Sequence, residues 1–495
     1  MDFEHLVMQQ GRRFRGVEVV LFWLWLWSVI GSFTTPLSMA DDSKLVDAIE
    51  HSDWAVVDKL LGLPEGVKEV QADGMTPLHW AVFHRQAELV ANLIAAGAPV
   101  DALTRYEVTP LSIACSQGDT PCVSLLVSAG ANVNRTISGG ETPLMNACRQ
   151  GNADTVRVLL RNGANVDATE RKGQTGLMWA AAEGNADAVQ LLVEAGADLK
   201  KTLKSGFSAM MFAAREGRME VVQRLLDAGI DVNAIMPNEK GQGRGPRPGT
   251  SALMLAVESG HFELALYLVQ RGADPNDQRS EYTPLHALSW VRKPASGDGI
   301  DGDPSPRGSG NVPSLEFVRK LVLAGANVNA KLERGPAGKA KLNMKGASPF
   351  LLACKTADLP FLKVLLELGA DPTLVNVDDC TSLLAASGIG TVSVGEEPGT
   401  EPEVIETVDF LLKLSLGLDI NAVDKNKETV MHGAAYRAHP KVAKMLAERG
   451  SKPSIWNNKN KHNWTPLTIA RGSRPGSVKP DAEMIAVLEQ LLKVD

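Results

Sequence analysis

The chain carries nine histidines and five cysteines. With one acidic cluster, these are the side chains whose chemistry could hold a metal or move a proton. Asp298, Asp301 and Asp303 lie in the run GDGIDGD. Clustered carboxylates suit a hard cation such as calcium, but the Asp-x-Asp-x-Asp-Gly spacing of a calcium loop is missing. Cys115, Cys122, Cys148, Cys354 and Cys380 form an odd set without a CxxC pair. That spacing gives neither a disulfide framework nor a zinc site. No HExxH, no GxSxG and no GxGxxG following a strand occurs. Near Gly338-Lys339, Glu333 stands where a phosphate loop needs its first glycine, and Ala340 replaces the hydroxyl. The expectation is a chain with no catalytic residues, no metal and no cofactor.

The histidines are better explained by position than by reactivity. His79, His286 and His432 each stand three residues after a threonine, at Thr76, Thr283 and Thr429. That placing suits a side chain that bridges backbone at a turn. His261 follows Gly260, at another recurring position, and His84 is left as the one histidine where surface chemistry is free.

Those threonines belong to a period. Thr76, Thr109, Thr142 and Thr175 are 33 residues apart, and the series continues at Ser208, Ser251, Thr283, Ser348, Thr381, Thr429 and Thr465. All are Ser or Thr, the residues whose hydroxyl accepts from an orphan N–H of a first helical turn. Proline follows six of them, where its missing N–H costs nothing. Two residues past the cap the side chain is apolar; three further on it is alanine, as at Ala114, Ala147 and Ala180, with Leu288 the exception. An offset of three puts both on one helix face, and the alanine lets a neighbouring helix come close. A second helix follows, with the i, i+3, i+4 stripe of Val156, Leu159 and Leu160, and ends at a glycine such as Gly163. Cys115, Cys148 and Cys354 share one phase, directly after an alanine, and read as small buried hydrophobes.

A cap followed by Pro-Leu-x-x-Ala, two short helices, Gly-Ala-Asp/Asn-Val-Asn and a period of 33 resembles the ankyrin repeat. The resemblance covers about 70–495, in eleven units. It implies an all-α solenoid of helix pairs joined by β-hairpin fingers. Residues 41–73 then read as a degenerate N-terminal capping repeat and 74–495 as the eleven repeats. Insertions fall near 236–249, 294–313, 331–346, 388–402 and 471–480, all punctuated by Gly and Pro. No unit buries its apolar face alone, so stacking replaces the several cores that 495 residues would otherwise need.

The family resemblance also implies a protein-binding role on the concave face. Trp290 and Tyr436 fall two residues beyond the repeat alanine position, where the inner helix should face that concavity. Phe83, Arg149 and Arg215 share the phase, and one residue on come His84, Gln117, Gln150, Glu183, Glu216 and Arg437. These eleven residues are the candidate partner-binding set, mixing aromatic, amide and both charges as protein recognition requires. Trp80, Trp179 and Phe212 lie in a phase that is elsewhere aliphatic, and read as packing between repeats. A formal net charge of −7, thinly spread, excludes a general nucleic-acid binder. Loops on a rigid scaffold often carry function, so an accessory or metal-assisted enzymatic role carried by the inserted loops is the second expectation.

The first forty residues are unlike the rest. Arg12, Arg13 and Arg15 precede fifteen uncharged residues, Val19–Phe33, and Ser38-Met39-Ala40 supplies the small-x-small pattern of a cleavage site. This is the layout of a secretory signal peptide, with an uncleaved membrane anchor the alternative. The expectation is export, to the periplasm or outside the cell, with any membrane contact made through this segment alone.

Overall fold

Thr109 shows how one repeat begins. Its backbone is extended, its hydroxyl accepts the Ser112 N–H at 3.0 Å, and the Ser112 hydroxyl accepts the Thr109 N–H at 3.0 Å. Pro110 opens the helix and Gly118 ends it in the left-handed conformation. Thr142, Thr175, Ser208, Ser251, Ser348, Thr381 and Thr465 accept the equivalent N–H. The computed structural model describes residues 44–63, 65–237, 247–295, 306–335, 341–392, 394–414, 417–474 and 479–493. Among them it holds helices joined by turns, and no named strand.

The chain divides into two units. One runs to Ala180 and includes Asn185–Asp198; the other takes Ala181–Gly184 and everything from Leu199. In the first, inner helices Pro77–Phe83, Pro110–Gln117 and Pro143–Gln150 alternate with outer helices Ala87–Ala95, Thr120–Ser128, Ala153–Arg161 and Ala186–Glu194. Leu45–Glu50 and Trp54–Leu60 form a short pair ahead of them. In the second, the inner helices are Ala209–Arg215, Ala252–Glu258, Pro284–Arg292, Pro349–Lys355, Ser382–Ser387, Val430–Arg437 and Pro466–Ala470. Their outer partners run from Met219–Asp227 to Ala482–Leu491. The inner helix Gly176–Glu183 is divided between the units.

The core of each unit is the seam between successive helix pairs. Leu111, Ala114, Val123 and Leu126 are fully buried, as are Ala147, Val156 and Leu159 one repeat on. Ala147→Leu therefore forces three extra carbons between closely approaching helices. The variant is expected to lose about 1–3 kcal/mol through overpacking, read as a lower denaturation midpoint. All five cysteines are free and buried; burial pushes the Cys122 thiol up to about 12, and raises the other four.

The fingers depart from the expected hairpins. Short fingers close by bonds such as Thr104 N–H to Val108 O, Glu170 to Gln174 and Asp424 to Glu428 rather than by a ladder, and isolated bridges pair Thr202 with Ser208 and Ile235 with Ser251. The five-residue tip is too tight for a ladder, so fingers are joined sideways instead. Arg105 N–H bonds Asp73 O, Arg171 bonds Gly139 O and Lys461 bonds Asn426 O. At the other end of the repeat an asparagine does the joining. Asn134 donates to Gly163 O and accepts from Asn165 N–H; Asn276, Asn329 and Asn421 repeat this on Gly325, Gly369 and Gly450.

Candidate partner-binding faces

The residue before each cap and the residue seven after it are brought together, because the first inner turn folds one back over the other. Phe207 and Arg215 meet in this way, with the guanidinium 5.0 Å from the ring centroid and 5.3 Å from that of Phe212. Tyr282 and Trp290 meet edge to face at 4.7 Å. Glu428 and Tyr436 meet through a 2.7 Å hydrogen bond from the phenol. The sequence reading used only the second member of each pair.

In the first unit, the predicted residues split into a corner and a run. His84 donates from Nε2 to Glu50 O, 3.2 Å away, and its ring lies against Trp54, Trp80 and Phe83 at 6.0, 6.1 and 5.4 Å. The histidine with free surface chemistry is thus the centre of a half-exposed aromatic corner. Gln117 donates to Phe83 O at 2.9 Å. Arg149 stacks 5.2 Å over Trp179, and Gln150 is exposed. Trp80 and Phe212 are buried as packing residues, but Trp179 is only half-buried and serves as the seat of a surface arginine.

In the second unit, Glu183 is exposed, and Arg215 pairs with Glu216 at 2.9 Å while both stay half-exposed. Trp290 is half-exposed. Around it stand four residues that lie outside the candidate set. Tyr282 donates its phenol to Glu258 at 2.7 Å, and the Arg247 guanidinium lies 4.9 Å over the Tyr282 ring and 3.2 Å from Glu281. Burial holds the Glu258 carboxyl above its usual range, against the Tyr282 hydrogen bond and the Arg247 charge. The signal for Tyr282 was the position before the cap; Arg247 comes from the end of an insertion, outside the period.

Tyr436 and Arg437 are corrected by the structure: both are buried, at 0% and 4% exposure. Tyr436 is used up by Glu428, by an Asn460 N–H at 3.1 Å, and by Arg474 lying over its ring. Arg437 is covered by the insertion after Ser387, donating to Pro398 O at 2.8 Å, Gly399 O at 3.1 Å and Lys355 O at 2.6 Å. The period places both residues correctly on the inner helix, but it says nothing of what an insertion lays over them.

A second insertion covers a different edge. Ser309 N–H bonds His261 Nδ1 at 2.7 Å, its hydroxyl reaches Gly217 O at 3.5 Å, and His261 Nε2 holds Arg215 O at 2.9 Å. Three other histidines bridge backbone as their spacing implied. His79, His286 and His432 join their cap hydroxyls to the carbonyls of Val108, Ala347 and Trp464. Burial pulls His286 and His432 down to about 4. Among the described residues no group of three or more His, Cys, Asp or Glu side chains is arranged to hold a metal. The calcium candidates Asp298, Asp301 and Asp303 lie outside the described residues.

A family model described as ankyrin repeats in three copies matches residues 45–137, 136–203 and 196–279. A second, described as ankyrin repeats in many copies, matches 402–447. No curated protein gives a match.

Proposed function

The chain belongs to the ankyrin-repeat family, whose repeats are in general protein–protein interaction modules, and from that premise we propose that it is a non-catalytic scaffold that holds a partner protein on its inner-helix faces, outside the cytoplasm. The observation that carries this reading is the pairing of arginine with aromatic rings on half-exposed inner-helix ends, Arg149 on Trp179 in one unit and Arg215 on Phe207 in the other. Such side chains are rigid, amphipathic and already ordered, so a partner that covers them loses little entropy. The export half of the proposal rests on Arg12–Arg15, the apolar Val19–Phe33 and the Ser38-Met39-Ala40 site. These residues lie outside the described ones; among the described residues no helix is long and apolar enough to cross a membrane.

One experiment tests both halves: crosslinking and pull-down from the exported fraction of the native host. Wild type is compared with Phe83→Ala plus Arg149→Ala, and separately with Arg215→Ala plus Trp290→Ala. At least one pair of substitutions is expected to cut partner recovery about tenfold or more, the loss typical of an interface anchor. Equal recovery from all three proteins removes the inner-face assignment, and absence of the protein from the exported fraction removes the location.

A further inference from the structure

The insertion after Ser387 lies where a guest peptide would lie in the second unit. Gly388 turns out of the inner helix at φ 121, and Gly390 then presses on the neighbouring finger, where a Cβ would stand 2.4 Å from Leu342 N. The chain returns over the inner-helix ends. Glu397 accepts from Lys355 Nζ at 2.6 Å and from Val392 N–H at 3.3 Å, and Arg437 clamps the carbonyls of Pro398 and Gly399. Arg474 holds Val392 O at 2.9 Å. A segment touching a finger on one side and Lys355 and Arg437 on the other runs along the inner face. It is gripped through its carbonyls and one carboxylate while it runs in turns and bends up to Thr400, the cap of the helix Glu401–Lys413.

The surface beneath is cationic. Arg437 and Arg474 are both buried, and neither has a carboxylate within ion-pair distance among the described residues. Arg437 Nε and His439 Nδ1 are buried without a partner. A desolvated guanidinium satisfied only by carbonyls is short of negative charge. The strap brings Glu396 and Glu397; Glu401 and Glu403 follow on the helix Glu401–Lys413, where Glu401 accepts from Lys441 N–H and Glu403 pairs with Lys293. Its hold is polar: Ile389 and Gly390 at its root are buried, but Val394, Gly395 and Glu396 are exposed. Releasing it gives up hydrogen bonds that a similar segment replaces one for one, while the apolar root stays in place.

We propose that Val394–Thr400 is a tethered stand-in for an acidic, turn-forming segment of a partner protein, which takes its place on Lys355 and Arg437. This rests on the reading of the inner face as the protein-binding face and names the chemistry of one ligand. It also makes the second unit's inner face switchable, closed by the chain itself until a matching segment arrives.

The test uses a fluorescein-labelled peptide of residues 394–400, VGEEPGT, titrated into the full chain by fluorescence anisotropy. Glu397→Ala releases the strap's own anchor and is expected to bind the peptide at least tenfold more tightly than wild type. Adding Lys355→Ala is expected to remove at least tenfold of that affinity. Equal affinity across the three proteins, or no binding to Glu397→Ala at millimolar peptide, overturns the proposal. A second measurement needs no variant: saturating peptide should speed hydrogen exchange of amides 394–400 in wild type while leaving those of Val430–Arg437 unchanged, and unchanged strap exchange equally overturns it. Partner recovery through Arg149 or Trp290 does not involve this peptide, so loss of one result leaves the other standing.

Discussion

Asp358→Ala is expected to cost the second unit about 3–5 kcal/mol, the loss typical of a buried ion pair broken on one side. Asp358 is 1% exposed. It receives Arg292 through two bonds, Nε at 2.8 Å and a terminal nitrogen at 3.0 Å, in the fork geometry that makes such pairs strong. Arg292 also donates to Ser314 and lies 5.7 Å over Phe361. The same carboxylate caps the helix Leu359–Glu367 by accepting the Phe361 N–H at 3.2 Å. Alanine thus removes a cap and leaves the Arg292 side chain, only 15% exposed, without its counter-charge. Urea denaturation of the full chain, with hydrogen exchange to locate the weakened helices, checks the size and the place. Arg292→Met combined with Asp358→Ala should lose clearly less than Asp358→Ala alone, since the cap is missing from both but no charge is then stranded. Equal losses would show that the cap, and not the ion pair, carries the effect.

Glu428→Gln is expected to stabilise the protein in alkali and to do little in acid. Glu428 is 4% exposed and accepts from Tyr436 and Asn460. Burial lifts its carboxyl from 4.5 to about 7, and Asp424 adds to the rise; Asp424 itself is lifted by burial to about 6, with Asp378 nearby. Lys425 faces away to Asp379 and Val377, and Arg474 reaches the Tyr436 ring and carbonyl and Val392 O rather than Glu428. The sign follows from proton linkage. A carboxyl with a raised folded value binds more protons folded than unfolded, so its contribution is present in acid and is lost as pH rises from about 4.5 to 7. Glutamine keeps an acceptor for Tyr436 and cannot ionise. The variant should exceed wild type by about 3 kcal/mol at pH 8 and by less than about 1 at pH 5. His432 and His439, both held near 4 by burial, work in the opposite direction between pH 4 and 6.5. The comparison is therefore made between variant and wild type at each pH, where the histidine contribution cancels. A constant difference between pH 5 and pH 8 would show that Glu428 does not titrate with folding.

The repeat was legible because each of its marks is a local necessity. A hydroxyl before the first turn, alanine where helices touch and glycine past the second helix are demanded wherever the pair occurs, and Thr109, Ala147 and Gly163 all serve as read. The inner-helix phase was legible for the same reason: Arg149, Arg215 and Trp290 reach the half-exposed positions their spacing implied. Tyr436 has that spacing too, yet it is buried, because its surroundings are set by Asn460, Arg474 and the segment 388–400 rather than by its own helix. Contacts made by insertions depend on loop paths that carry no period. Arg247 was hidden likewise: only the folded loop brings it to Tyr282.

The loop at Ser309 alters how this stack comes apart. In a simple repeat array each module grips only its immediate neighbours, so the end unit can peel away first. Here a residue lodged between the helices of the repeat beginning at Thr283 holds His261 one repeat back and Gly217 two repeats back. Three modules are buttoned by a single clasp. The stretch from Ala209 to Leu323 must then zip and unzip as a block, and the grain of cooperativity in this chain is coarser than the sequence period.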